Sequence, residues 1–178
     1  MRLFHFSEEP DITEFIPRPV RVPSNRPIGL EWLNGALVWA IAETHQQMYL
    51  FPRECPRIVL SATPDTSDSD AEQWLQSNKN RSVAYIERKW LRRFESASLS
   101  RYEFDPVNFN SLHDAGTWVS SASEIPIDKV EISDLAAKLN DAQTDLKIVD
   151  YLEPLKPAWN STVHASGIRL RNAHSWNQ

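Results

Sequence analysis

Ala36-Leu37-Val38-Trp39-Ala40-Ile41 is an unbroken apolar run of strand length, and polar residues around Met48, Tyr49 and Leu50 follow it from Glu43 to Phe51, up to Pro52. Consecutive apolar positions suit a strand covered on both faces, and the polar-rich sequel suits a short helix. That strand-then-helix step decides the fold class, because similar steps recur irregularly on both sides. Upstream, Leu3-Phe4-His5-Phe6 reads as a first strand that stops at Ser7-Glu8-Glu9-Pro10 and carries His5. Between the two strands, prolines 17, 19, 23 and 27 remove backbone donors and fix φ. Ile16 to Pro27 is therefore expected as an ordered loop or a flexible lid.

Downstream, Ile58 to Leu60, Ser82 to Ile86, Arg101 to Phe104, Thr117 to Ser120 and Lys129 to Ile132 have strand character. Gly167 to Arg171 alternates as a last strand with two arginines on one face. Helices are expected from Asp70 to Ser77, from Glu87 to Phe94, from Leu135 to about Asn140, and from Asp145 to Leu152. No internal repeat or compositional break divides residues 1–178. The expectation is one α+β domain with a mixed, largely antiparallel sheet and short flanking helices.

Composition narrows the functional classes. The chain has 178 residues, 41% of them hydrophobic and 10% aromatic, which excludes wholesale disorder. A net charge of -5 gives no global positive field for a nucleic-acid backbone, so DNA is not an expected partner. No apolar run approaches the ~20 residues of a membrane helix, and no export signal is visible, so no membrane partner and a cytoplasmic location are expected. Cys55 is the only cysteine, which rules out an intrachain disulfide, and the five histidines show no ligand spacing, so no metal is predicted. The chain also lacks any Gly-rich phosphate loop.

Several residues carry chemistry. His5 can orient a hydroxyl through one ring nitrogen while a backbone group fixes the other; the competing reading is a half-buried histidine satisfied by backbone. Arg53 and Arg57 follow prolines 52 and 56, and with Arg18, Arg169 and Arg171 they supply planar forks for phosphate or carboxylate. Arg53 and Arg169 are ligand candidates, with Arg18 from the proline loop beside them, whereas Arg57 is expected in an ion pair with Glu54, Glu43 or Glu31. Glu87, at a strand-to-helix step, and Glu103, between Tyr102 and Phe104, are the candidate carboxylates. The competing reading of Glu87 is a helix-dipole role, and that of Glu103 a solvated face. Trp39 and Trp118 can stack a planar ring; otherwise they belong to the core.

Leu3 to Ser7, Phe15 to Arg18, Leu37 to Ile41, Tyr49 to Arg57, Trp118 to Ser120 and Ile168 to Ala173 resemble, in order, an uncharacterised family of bacteria and fungi. More distantly, the strand with His5, the strand and helix from Leu37 to Leu50, and the segments from Trp118 to Ile132 resemble the ADP-ribosyltransferase superfamily. That resemblance implies an ADP-ribosyltransferase-like fold, NAD as the ligand, His5 against the nicotinamide ribose and an aromatic on the nicotinamide. It also implies a Glu at the oxocarbenium-like centre, where Trp118 stands and only Glu87 or Glu103 could substitute. Two functions are thus expected in competition. One is a nucleotide-like ligand site, with ADP-ribosyl or related transfer, in a cleft between the His5 strand and the strand from Leu37. The other is a non-catalytic module whose arginines hold an acidic small molecule or a partner protein. A third reading makes His5, Arg53 and Arg169 a buried polar network only.

Overall fold

A computed structural model describes residues 1–176. Along the chain run β1 (Leu3–Ser7), β2 (Val38–Ala42), β3 (Arg57–Ser61), α1 (Asp68–Leu75), β4 (Ser82–Glu87), α2 (Leu91–Glu95) and β5 (Leu99–Phe104). Then follow β6 (Asn110–Ser111), β7 (Thr117–Ser120), β8 (Asp128–Ile132), α3 (Leu135–Asp141), β9 (Thr144–Val149) and β10 (His164–Ile168). This is an α+β chain. Its contacts gather into two compact units, Met1–Gln46 with Leu99–Ile132, and Gln47–Ser98 with Ser133 onward. Each unit is therefore interrupted in sequence by the other.

The first unit holds a six-stranded sheet in the order β6-β7-β2-β1-β5-β8, antiparallel at every step. Alternation along its strands makes two apolar faces. On one face Leu3, Val38, Ala40, Ala42, Phe104 and Phe109 pack together with Phe15 and Trp118. On the other, Leu33, Leu37 and Val119 pack with Trp39. Phe15 closes the first face edge-on, its ring centroid 5.1 Å from Tyr102 and 5.0 Å from Phe104. Between Pro17 and Pro27 the proline-rich stretch forms no helix and no strand beyond the isolated bridge of Arg18 with Leu37. Arg18 and Leu37 exchange main-chain hydrogen bonds, and the Asn34 side chain clamps both the N–H and the carbonyl of Ser24. At its tip Leu30 N–H donates to the Pro27 carbonyl at 3.0 Å, with Gly29 at φ +89°. That positive φ belongs to the third position of a type II turn and explains the glycine.

The second unit holds a four-stranded sheet, β10-β3-β4-β9, in which only β4 and β9 run parallel. Ile58, Leu60, Trp74, Leu75, Val83, Leu152, Ala158 and Val163 form its core. Instead of one mixed sheet, the chain builds one antiparallel and one mixed sheet.

Four expected elements are corrected. Asp145 to Leu152 is not helical: β9 pairs with β4 through six residue pairs, from Ser82 with Thr144 to Glu87 with Val149. Asp145 looked like a helix start, but its carboxylate takes two bonds from Arg81 (3.0 and 2.7 Å), and the β-branched Ile148 and Val149 fit the pleat. The last strand ends at Ile168, because Arg169 turns left-handed at φ 57° and Leu170–Asn172 is a 3-10 turn; the two arginines do not alternate on a strand. Ser67, not Asp70, caps α1 by accepting from the Asp70 N–H, which frees the Asp70 carboxylate to accept from the N–H and hydroxyl of Thr162. The expected helix from Glu87 breaks into a 3-10 turn, Arg88–Trp90, followed by α2, and Glu87 remains in β4.

Candidate functional site

The structure divides the sequence-derived candidates between the units. His5, Arg18, Trp39, Glu103 and Trp118 lie in the first; Arg53, Glu87 and Arg169 lie in the second. In the first unit β1 and β2 pair only at Leu3 with Ala42 and Phe4 with Ile41, although both strands continue. Where that register stops, the His5 ring bonds the main chain of β2 instead. Its Nδ1 sits 2.9 Å from the Trp39 carbonyl, which can only accept, so Nδ1 carries the proton. The His5 ring also lies 4.8 Å from Phe15, centroid to centroid. A main-chain partner for one ring nitrogen belongs to both readings of His5, and here it is the carbonyl of the very residue proposed to stack a ligand.

Trp39 and Trp118 do not converge. Trp39 is opposite Val119 and Trp118 opposite Ala40, so their rings fall on opposite faces, Trp118 among the Leu3 and Phe104 core. Trp39 instead meets Arg26, a residue the sequence reading passed over, whose guanidinium lies 5.8 Å from the ring centroid. The Nε of Arg26 is enclosed and finds no hydrogen-bond partner among the described residues. A signal existed in the sequence: Arg18, Arg21 and Arg26 stand in a stretch without any Asp or Glu from Phe15 to Leu30. Glu103 is occupied. The Nε and Nη2 of Arg2 grip its two carboxylate oxygens at 3.0 and 2.6 Å, and that bond holds its carboxyl below the usual range.

In the second unit the arginines gather around Glu54. Asn172 donates to its carbonyl at 2.8 Å and to its carboxylate at 3.0 Å, Arg171 reaches the carboxylate at 3.3 Å, and Arg169 lies 3.8 Å away. Burial pushes the Glu54 carboxyl up, but the Asn172 bond and the charges of Arg169, Arg171 and Arg53 outweigh it and hold the group below its ordinary value. Arg169 also donates to the Arg53 carbonyl at 3.2 Å. The expected ion pair of Arg57 is corrected. Its buried guanidinium donates to the carbonyls of Met48 (3.0 Å) and Cys55 (3.1 Å), and burial lowers it to about 10. A main-chain carbonyl beside a stiff Pro56 is the nearer acceptor in a turn, so Arg57 is a brace. Cys55 is fully buried, and burial raises its thiol to about 12, which leaves no thiolate nucleophile near neutral pH.

Glu87 is fully enclosed, and its Oε1 accepts from the N–H groups of His174 (2.8 Å) and Leu152 (3.4 Å). Its Oε2 lies 3.0 Å from Lys89 Nζ, an ion pair without hydrogen-bond geometry. A hollow of about 400 Å³ lies beside Tyr151, Glu153, Pro154, His174 and Ser175 in the second unit. Another, of about 310 Å³, runs along Pro10 to Thr13 and Ile127 to Lys129 in the first. Neither is lined by a candidate taken from the sequence. Among the described residues no three His, Cys, Asp or Glu converge as metal ligands, and no helix is long and apolar enough to cross a membrane.

The architecture is α+β, with an arginine-braced second unit and a parted strand pair in the first. The chain belongs to a family of unknown function, DUF6886, whose model matches residues 4–173. No curated protein and no solved structure matches it.

Proposed function

We propose that this protein binds a small nucleotide-like ligand in its first unit, with a planar ring on Trp39 and an anionic group on Arg26 and Arg18. The observation that carries the reading is Arg26: a guanidinium over an indole, with an enclosed Nε lacking any acceptor among the described residues. An enclosed donor without a partner costs about 1–3 kcal/mol, which a ligand oxygen would offset. Among the described residues no carboxylate pairs with Arg18 or Arg26. His5 serves as a positioning residue by holding the Trp39 main chain.

NAD is the nucleotide this reading names. The parting of β1 and β2 at His5 supports the ADP-ribosyltransferase-like interpretation of the fold, and with it ADP-ribosyl or related transfer. The bidentate grip of Arg2 on Glu103 and the enclosure of Glu87 favour binding over transfer, since neither carboxylate is presented to a ligand. Calorimetric titration with NAD, with indole fluorescence as a second readout, tests the reading. Millimolar NAD without heat or quenching ends it, Arg26→Met should weaken binding about tenfold or more, and labelled NAD without label transfer ends the transferase part.

A second reading is favoured by the three guanidiniums of Arg53, Arg169 and Arg171 around the single Glu54 carboxylate. There the second unit holds an acidic small molecule without chemistry. Citrate or inorganic phosphate binding that is lost in Arg169→Met and kept in Arg26→Met would select it.

A further inference from the structure

Strand β8, Asp128-Lys129-Val130-Glu131-Ile132, is an outer strand of the six-stranded sheet and pairs only with β5. Its first four residues are exposed. Such an edge presents a row of unpaired main-chain donors and acceptors and is a template for another strand. The surroundings are apolar: Val130 is 40% exposed, and Ile125 and Ile127 just before the strand are 71% and 65% exposed. Charges on edge strands commonly repel partners, but here their order matters. Lys129 and Glu131 flank Val130 symmetrically and lie on one face of the strand. Among the described residues Lys129 pairs with no carboxylate and Glu131 with no cation; Lys129 donates only to the Pro10 carbonyl, at 2.7 Å.

We propose that β8 pairs antiparallel with β8 of a second copy of this chain, about a two-fold axis through Val130, joining two six-stranded sheets into one. In that register Val130 faces its own counterpart. Lys129 of each copy then faces Glu131 of the other, so two opposite-charge pairs form on one face. A generic strand would meet both charges unmatched, whereas the copy meets them matched, which selects self-association. The isologous arrangement closes at two, so it ends the edge without growing a fibre.

Sedimentation velocity of the full chain from about 1 to 100 μM is the test, and a wild-type dimer is expected in that range. Glu131→Lys and Lys129→Glu should each weaken association about tenfold or more, because like charges then oppose each other twice. An equimolar mixture of the two variants should dimerise again as a heterodimer, since every Lys then faces a Glu. The Glu131 side chain is exposed and makes no hydrogen bond or ion pair among the described residues, so Glu131→Lys should keep the wild-type melting temperature at concentrations where both are monomeric, which separates lost association from lost folding. A monomer throughout the range overturns the proposal. So does a dimer indifferent to Glu131→Lys, which would assign association to another face or partner, and so does a mixture no tighter than its components.

Discussion

The main-chain N–H of His174 donates to Oε1 of Glu87 at 2.8 Å, tying the end of β4 to a segment 87 positions later. Because the carboxylate is fully enclosed, the bond works in a low dielectric and its loss strands two N–H groups, those of His174 and Leu152. Glu87→Ala should therefore destabilise the chain by about 3 kcal/mol, and Glu87→Gln, which keeps an oxygen acceptor, by less. Denaturant unfolding measures both. An unchanged midpoint for Glu87→Ala would contradict this role.

Arg57 braces the turn before β3 by filling the carbonyls of Met48 and Cys55. Arg57→Met keeps most of the apolar stem and removes both donors, so it should cost about 2–3 kcal/mol. Arg57→Lys restores the charge but not the planar fork, and should recover only part of the loss in the same unfolding experiment.

The Cys55 thiol rises from 9.0 to about 12 on burial. The folded chain thus keeps a proton that the unfolded chain releases. This contribution to stability is complete below pH 9 and fades as the pH climbs toward 12. Relative to Cys55→Ala, wild type should lose stability across that window. At pH near 8 an aromatic disulfide reagent should label native Cys55 only as fast as the chain opens; immediate labelling would show an accessible thiol.

Gly167 faces a crowded neighbourhood. A β-carbon there would collide with the Leu170 side chain and stand 2.9 Å from Cζ2 of Trp159. Gly167→Ala should cost about 1–3 kcal/mol by overpacking, read as a lower melting temperature. Gly29→Ala meets no atom within 4 Å, and its cost of about 1 kcal/mol should come from φ +89° alone.

Strands whose apolar residues are buried by both faces were legible from the sequence: β1, β2, β3, β4, β5 and β7 fall where Leu3, Trp39, Val59, Ala84, Tyr102 and Val119 announce them. β9 was not: Asp145-Leu146-Lys147-Ile148 does alternate polar and apolar, but over only four residues, and the parallel pairing with β4 that fixes it is visible only in three dimensions. The charged candidates show the same division. His5 stands on the first strand, as Leu3-Phe4-His5-Phe6 announces, and a backbone partner for its ring is part of the expectation, but that this partner is the Trp39 carbonyl is visible only in the fold. The grip of Arg2 on Glu103 and the gathering of Asn172, Arg169 and Arg171 at Glu54 join residues about a hundred positions apart, and no local pattern encodes such partners. The acid-free stretch from Phe15 to Leu30 is the sequence signal of Arg26, but that its Nε lacks an acceptor among the described residues is visible only in three dimensions.

The interleaving of the two units bears on synthesis. β1 leaves the ribosome first, yet its neighbour β5 begins at Leu99, after a whole stretch of the other unit has emerged. The first sheet cannot close until Ile132 is out, so Leu3 and Phe4 must wait with their apolar side chains exposed. A nascent chain stalled before that point would be a substrate for chaperones, and no single cut in the gene yields either unit by itself.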